Sequence, residues 1–294
     1  MHKLARRVRF SVNPFLSEDG EGANSFASRP AGEGLAVFLE LSVELAGEVE
    51  RATGFVVNVT DIDDEVRRSV VPIFAGRIRA DFRAGRHIGI PAISELLTAG
   101  WEALANVGWG LPHRTGGLKP TLHRLGLKLN PYRETAIDSQ GAKMIYFSEK
   151  FEFAATHKLW NEDFSEQRNF EVFGKCANPT GHGHNYIVDV TVKAPAGGEI
   201  CVGDFERIVD DELIKVVDHK NLNLDVVHFA TTNPTVENIA AFAWSRLVGK
   251  FGPGGGASPP LSGRASPPLS GRASPTLHCV TIWETDKTSC SYCG

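Results

Sequence analysis

An α+β fold in which the order strand–strand–helix–helix–strand–strand occurs twice is predicted by three features of this sequence. Apolar and polar residues alternate over several short stretches, the period of a half-buried strand. Each half also carries two longer stretches with apolar residues at helical spacing. Finally, the halves can be laid over one another: GEGLAVFLELSV over GHGHNYIVDVTV, GFVVNVTDIDDEV over EICVGDFERIVDDEL, and LHRLGLKLN over LHCVTIWET. Three blocks agreeing in order and rough spacing point to an internal duplication, with one unit over 1–145 and the other over 146–294.

In the first half, residues 8–12 read as a short strand, 34–45 as a long one and 54–59 as another. Residues 61–74 read as a helix because Ile62, Val66 and Val70 recur every four positions. Residues 93–107 read as a second helix. Residues 122–129 read as a strand, apolar at alternate positions from Leu125. In the second half, 151–157 and 185–192 are strands, the latter with clean alternation, and 200–202 begins a short one. Residues 204–217 are helical, with Phe205, Ile208, Val209, Leu213, Val216 and Val217 on one stripe. Thr235 can cap a helix running to about residue 248, and 278–284 is a closing strand. The segment 253–276 differs in kind: ASPPLSGR occurs twice in tandem and is followed by ASPTL. Prolines at that density suit neither a helix nor a central strand, so a surface loop inserted before the last strand is expected.

Composition narrows the function classes. The 294 residues are 42% hydrophobic and 22% charged, with a formal net charge of −4, ordinary values for a globular protein. The small charge and the lack of a basic stripe give nucleic-acid binding no electrostatic support. No apolar run approaches the roughly 20 residues of a membrane span. The start, MHKLARRVRF, is not followed by an apolar stretch, so no secretory signal is expected. Five cysteines, Cys176, Cys201, Cys279, Cys290 and Cys293, are too few for a disulfide scaffold and suit a reducing cytoplasm.

The chemistry concentrates at residues 181–186, which read Gly-His-Gly-His-Asn-Tyr at the entry to a strand. Residues two apart on a strand share a face, so His182 and His184 project together and continue the face of Tyr186, Val188 and Val190. His157 ends the strand of Phe151, Phe153 and Ala155, all on one face by the same period. If the two strands pair, three imidazoles converge. Three histidines with one open position is the arrangement of a catalytic zinc rather than a structural one. Cys176 precedes His182 by six residues, and Asn178, Pro179 and Gly181 can curl the chain back over the site. It can serve as a base, as a fourth ligand that closes the site, or as a small buried hydrophobe. Asp218 and His219 end a helix; they can relay protons, although neighbours in sequence do not easily orient one another, or His219 can satisfy helix carbonyls. Glu284 ends the last strand, where a carboxylate can accept two N–H donors from a guanidine-like heterocycle edge or remain a solvated charge.

Taken together, FAATH, FGKCANPTGHGHNYIVDVTV, VGDFERI, VDHKNLN, PTVENIAAFAW and VTIWETD resemble the 6-pyruvoyl-tetrahydropterin synthase family. Its wider superfamily includes the 6-carboxy-tetrahydropterin synthase of queuosine biosynthesis. The resemblance covers about residues 147–294 apart from the proline-rich insert. It implies the tunnelling fold, four antiparallel strands with a helix pair between strands two and three, assembled as a homo-oligomer with active sites at subunit interfaces. It implies zinc on His157, His182 and His184, Cys176 as the proton-abstracting base, and Asp218 with His219 completing a catalytic triad. It further implies Glu284 as the anchor for the pterin's pyrimidine edge, with Thr235 and Glu237 nearby. Val236 stands where animal enzymes often carry threonine, which puts one side-chain contact in doubt. The implied reaction eliminates triphosphate from 7,8-dihydroneopterin triphosphate and rearranges its side chain. Five residues separate Cys176 from His182, a spacing that resembles the pyruvoyl type more than the queuosine type. The queuosine-type reaction is the alternative, and a non-catalytic pterin-binding assembly protein is another.

The same overlay makes the first half a degenerate copy kept for assembly. Pro14 falls on His157, Glu33 and Leu35 fall on His182 and His184, Leu129 falls on Glu284, and no cysteine precedes Cys176. His87, His113 and His123 are scattered and read as surface residues. Cys290 and Cys293 form a C-x-x-C without the second pair a zinc ribbon needs.

Overall fold

A computed structural model of the chain describes residues 1–16, 20–21, 30–31, 35–107, 109, 120–139, 144–198, 200–252 and 274–294. Most of the expected proline-rich loop, 253–273, lies outside the described residues, as do Glu33 and His113. The chain divides into two compact units, one of Met1–Phe147 with Pro195–Gly198, the other of Ser148–Ala194 with Glu199–Gly294. Both mix helices with antiparallel sheet, the α+β class expected.

In the first unit, β1 (His2–Val12) pairs antiparallel with β4 (Val37–Gly47), and a two-residue hairpin, β2 (Gly20–Glu21) and β3 (Pro30–Ala31), lies between them in sequence. Helices α1 (Val59–Glu65) and α2 (Val71–Arg83) are joined by one π-helical turn, Val66–Val70, and α3 (Ile90–Ala105) follows. β5 (Thr121–Asn130) then pairs with β4, and β6 (Arg133–Asp138) with β5. The alternation seen in sequence becomes burial: Val8, Phe10 and Val12 of β1 and Leu41, Val43 and Leu45 of β4 lie inside, as do Ile62, Val66, Val70 and Phe74 of the helices, with the Phe10 ring edge-on to Phe74 at 6.1 Å. At 25–30 cal/mol per Å², each such side chain contributes roughly 1.5–3 kcal/mol.

The second unit also opens and closes on strands with helices between them. β7 (Met144–His157) runs into it from the end of the first, followed by α4 (Glu166–Phe173) and β8 (His182–Pro195). Helix α5 (Val202–Val209), a π turn over Asp210–Ile214 and α6 (Lys215–Val217) form one continuous run. Next come β9 (Lys220–Asn221), parallel to the end of β7, and α7 (Leu222–Asp225). α8 (Val236–Leu247), β10 (Thr276–Thr285) and β11 (Thr288–Tyr292) complete it. Its strands lie in the order β7-β8-β10-β11. The face of β8 read from sequence, Tyr186, Val188, Val190 and Val192, is fully buried, as are Val209, Leu213 and Ile239 of the helices.

Two expected strands are absent, at matching places in the two halves. Residues 54–58 turn instead of extending: Val56 and Val57 are buried, and the Asn58 Oδ1 accepts the Thr60 N–H at 3.1 Å to open α1. A capping Asn directly after an apolar pair makes a helix entry, not a strand. Residues 200–202 likewise lead into α5, with Cys201 at the cap position. β6 and β11 were not foreseen, because neither shows an apolar alternation. Cys279 and Cys293 are joined in a disulfide that ties β10 to the segment after β11. Cys293 is thereby committed to that bond rather than to a metal-binding pair with Cys290. No helix among the described residues is long and apolar enough to cross a membrane.

Candidate metal centre

Three strand-borne histidines converge in the second unit. His157 is the last residue of β7, and His182 and His184 open β8. One nitrogen from each lies within 4.8 Å of the others, the one such group of potential metal ligands among the described residues. His157 is 1% exposed, and its Nδ1–H donates to the Pro234 carbonyl at 2.8 Å. That bond fixes the tautomer and turns the Nε2 lone pair toward the cluster, 3.2 Å from His182 Nε2. Burial pushes the pKa of His157 and of His182 down, and the neighbouring imidazoles act in the same direction. The rings are therefore held neutral, the form that ligates.

The donor set fits a cation. His182 Nδ1 and His184 Nε2 are buried without any hydrogen-bond partner, a costly state for polar nitrogens unless something else satisfies them. The local backbone is shaped for this approach. Gly181 sits at φ +69°, and a Cβ there would stand 2.8 Å from the His157 carbonyl oxygen. Its N–H donates to Asn178 O at 2.8 Å, closing the turn that delivers His182. Asn178 Oδ1 holds the same turn through the Thr180 N–H and hydroxyl.

Cys176 lies in a single 3₁₀ turn, Gly174–Ala177, with Sγ 3.8 Å from His182 Nε2. It flanks the histidine cluster without joining it. Burial, then the charge of Glu284, pushes its thiol pKa up, so in the metal-free chain it rests protonated. Glu284 Oε1 is 3.6 Å from both His157 Nε2 and His184 Nε2; among the described residues no hydrogen bond engages its carboxylate.

Asp218 and His219 are linked to each other after all. Asp218 Oδ2 is 2.8 Å from His219 Nδ1, an orientation that neighbours in sequence were not expected to reach. The reason is backbone: His219 has φ +55°, the one positive φ outside glycine among the described residues. Its N–H donates to Ala154 O at 2.6 Å, while Asp218 Oδ1 accepts the Ala154 N–H at 2.9 Å. The His219 ring is 83% exposed, and among the described residues no hydrogen bond or ion pair joins the pair to Cys176. His219 and the ligand candidate His184 do share a cleft of about 480 Å³, lined also by Ala155, Thr156, Gly183 and Lys220. Thr235 is spent as the cap of α8, its Oγ1 accepting the Asn238 N–H at 3.4 Å. Glu237 is exposed in the first turn. Val236 is buried, a position an apolar side chain suits. Sequence reasoning missed Pro234, whose contribution is a carbonyl and so carries no side-chain signal.

An α+β unit that gathers three histidines at adjoining strand ends, with a thiol and a carboxylate beside them, carries a candidate site for one metal ion with an acid–base group at hand. Residues 146–294 match the family model described as 6-pyruvoyl tetrahydropterin synthase. The chain is 40% identical over 104 residues to the human 6-pyruvoyl tetrahydrobiopterin synthase, covering 34% of this chain and 72% of that one. It is 40% identical over 99 residues to the Drosophila melanogaster protein of the same name, covering 32% and 59%. The solved 6-pyruvoyl tetrahydropterin synthase of Caenorhabditis elegans superposes with a TM-score of 0.40 at 30% identity, over 51% of this chain and 96% of that one. The chain belongs to the 6-pyruvoyl tetrahydropterin synthase family.

Proposed function

We propose that the chain is a zinc-dependent lyase of the 6-pyruvoyl-tetrahydropterin synthase type, converting 7,8-dihydroneopterin triphosphate to a tetrahydropterin with loss of triphosphate. The observation that carries this reading is the histidine cluster, whose members include two buried nitrogens with no partner. Three imidazoles with no thiolate among them fit a catalytic zinc site that keeps a position open. His157, His182 and His184 would hold the ion; when bound, it supplies Lewis-acid polarisation of the substrate's side chain.

The chain's own groups do the rest. Cys176, 3.8 Å from His182, takes the carbon-bound proton as general base. Its raised pKa in the metal-free chain means that it must first lose its thiol proton. His219, oriented by Asp218, receives that proton, the division of labour of a nucleophile–base–orienter set. Glu284 has acceptor oxygens to spare and takes the N–H donors of the pterin's pyrimidine edge. Glu237 and Thr235 flank that edge from the start of α8. Because His219 faces solvent in the isolated chain, the reading includes a homo-oligomer in which active sites are completed at subunit contacts.

The first unit is read as a degenerate copy of the second, produced by tandem duplication and retained for assembly. Its strand–helix order parallels that of the second unit. Of the residues overlaid on the histidines, Pro14 offers no ligand and Leu35 is 90% exposed. The decisive experiment is to incubate the zinc-loaded protein with 7,8-dihydroneopterin triphosphate, measure triphosphate release and weigh the product by mass spectrometry. Release with a pyruvoyl product is expected. A carboxy product with acetaldehyde would move the chain to the queuosine-type reaction, and no release at all would sink the enzymatic reading.

A further inference from the structure

The substrate proposed above carries a triphosphate, yet none of the side chains assigned to the reaction bears a fixed positive charge. Cys176, Asp218, Glu237 and Glu284 are acids, Thr235 is neutral, and His157, His182 and His184 are given to the metal. The chain as a whole has a formal net charge of −4. Holding a polyanion on it calls for a local cation in the cleft that receives it.

The cleft that His184 shares with His219 supplies one. Lys220 lines it, with Thr156, Asn185 and Asn221 as neutral polar neighbours and no carboxylate among the lining residues. Its volume of about 480 Å³ suits a small-molecule site. Lys220 is exposed, and its ammonium makes no hydrogen bond or ion pair among the described residues. Its backbone, by contrast, is pinned on both sides. His219 takes φ +55°, a conformation uncommon outside glycine, and its N–H donates to Ala154 O at 2.6 Å. That turn sets Lys220 beside Ala155 in β9, parallel to the end of β7. On the other side, the Asn221 N–H donates to Asp225 Oδ2 at 2.8 Å. A left-handed residue is thus accepted to fix the root of a lysine whose charge has no partner in the chain. Another cleft of the same unit, about 330 Å³, is less suited to an anion. It carries Glu162 in its wall, and the ammonium of its lysine, Lys158, already lies 3.9 Å from the centre of the Trp160 ring.

We infer that Lys220 is a substrate-binding residue whose ammonium holds the triphosphate in this cleft. The inference rests on the function proposed above and adds to it the group that receives the leaving end of the substrate. An ammonium offers three donors to phosphate oxygens, and such charge-assisted bonds are the strong ones. The pterin edge then goes to an acceptor, Glu284, and the phosphates to a cation, so the two ends of the substrate are told apart by charge.

The test compares two ligands on zinc-loaded Cys176→Ala, which binds 7,8-dihydroneopterin triphosphate without turning it over. Calorimetry gives its affinity for that compound and for 7,8-dihydroneopterin, which lacks the phosphates. Adding Lys220→Gln is expected to weaken the triphosphate compound roughly ten- to a hundredfold, the worth of a hydrogen bond to a charged group, and to leave dihydroneopterin unchanged. Salt should then weaken triphosphate binding less steeply than in the parent, since one cation has gone. Lys220→Arg should restore most of the affinity. Unchanged triphosphate affinity, or an unchanged salt dependence, in Lys220→Gln overturns the inference while leaving the proposed function intact. Equal weakening of both ligands would make Lys220 structural, which also overturns it. No binding of either ligand by Cys176→Ala would take down the proposed function together with it.

Discussion

His157 donates its Nδ1–H to Pro234, and Asp218 accepts an N–H from Ala154; the first bond fixes the tautomer of His157 and the second favours the ionised carboxylate of Asp218. Cys176 differs from both. It flanks the histidine cluster and contributes no member to it, so Cys176→Ala should retain full metal content. Turnover should fall roughly a hundred- to ten-thousand-fold, the usual worth of a general base. Metal analysis and triphosphate release measured on one preparation check this, and joint loss of both would make Cys176 a ligand. Asp218 yields a pH prediction. The Ala154 amide, and after it His219, holds its carboxyl pKa below the ordinary value. A group whose folded pKa is depressed stabilises the fold above its unfolded value, about 3.9, and that contribution is lost as pH falls through the lower folded value. Asp218→Asn should therefore flatten the acid side of the melting-temperature profile below about pH 4. Identical acid slopes for the two proteins would show that the Asp218 bonds contribute nothing to the fold.

The turn between Cys176 and His182 controls whether β8 delivers its histidines. Gly181 has φ +69° and no space for a Cβ beside the His157 carbonyl, whereas a Cβ at Gly183 would meet the Thr156 methyl at 3.3 Å and the Ala155 carbonyl oxygen at an ordinary 3.5 Å. Gly181→Ala should thus cost more than about 1–2 kcal/mol, the price of a left-handed backbone alone, and should weaken metal binding because the strain falls between two ligands. Gly183→Ala should cost less, since a methyl neighbour can move by a few tenths of an ångström. Thermal melts of the two variants, with and without metal, check the order; the reverse order would remove Gly181 from the delivery of the site. At this scale the sequence was partly legible. Period-two spacing put His182, His184 and Tyr186 on one buried face, and the six-residue stripe from Phe205 to Val217 predicted α5 through α6. Residues 54–59 misled because their apolar run is a loop anchored by Val56 and Val57, with the Asn58 cap deciding in favour of a helix. β11, TSCSY, has no pattern to read, since it is held by its pairing with β10 and is mostly exposed.

At the scale of the molecule, one sequence carries two α+β units and, among the described residues, a single cluster of possible metal ligands. The difference was legible in the overlay, because ligation needs particular side chains whereas a sheet needs only alternation. Leu125, Leu127, Val280 and Ile282 serve their sheets alike. His182 and His184, by contrast, have no histidine or cysteine beneath them in the first half. What the overlay could not reach were contacts made by backbone, such as Pro234 on His157, and the Cys279–Cys293 bond, whose partners lie 14 residues apart. The consequence is a stoichiometry. The described residues hold one cluster of possible ligands, in the second unit. The purified chain, stripped by chelator and reloaded, should take up about one zinc ion, in keeping with a site of three protein ligands. His182→Ala should take up close to none, because two imidazoles bind far more weakly than three. His87→Ala and His123→Ala should leave uptake unchanged, as neither belongs to the cluster. Two ions per chain, or one ion retained by His182→Ala, would mean that a second site exists and that the first unit is more than a scaffold.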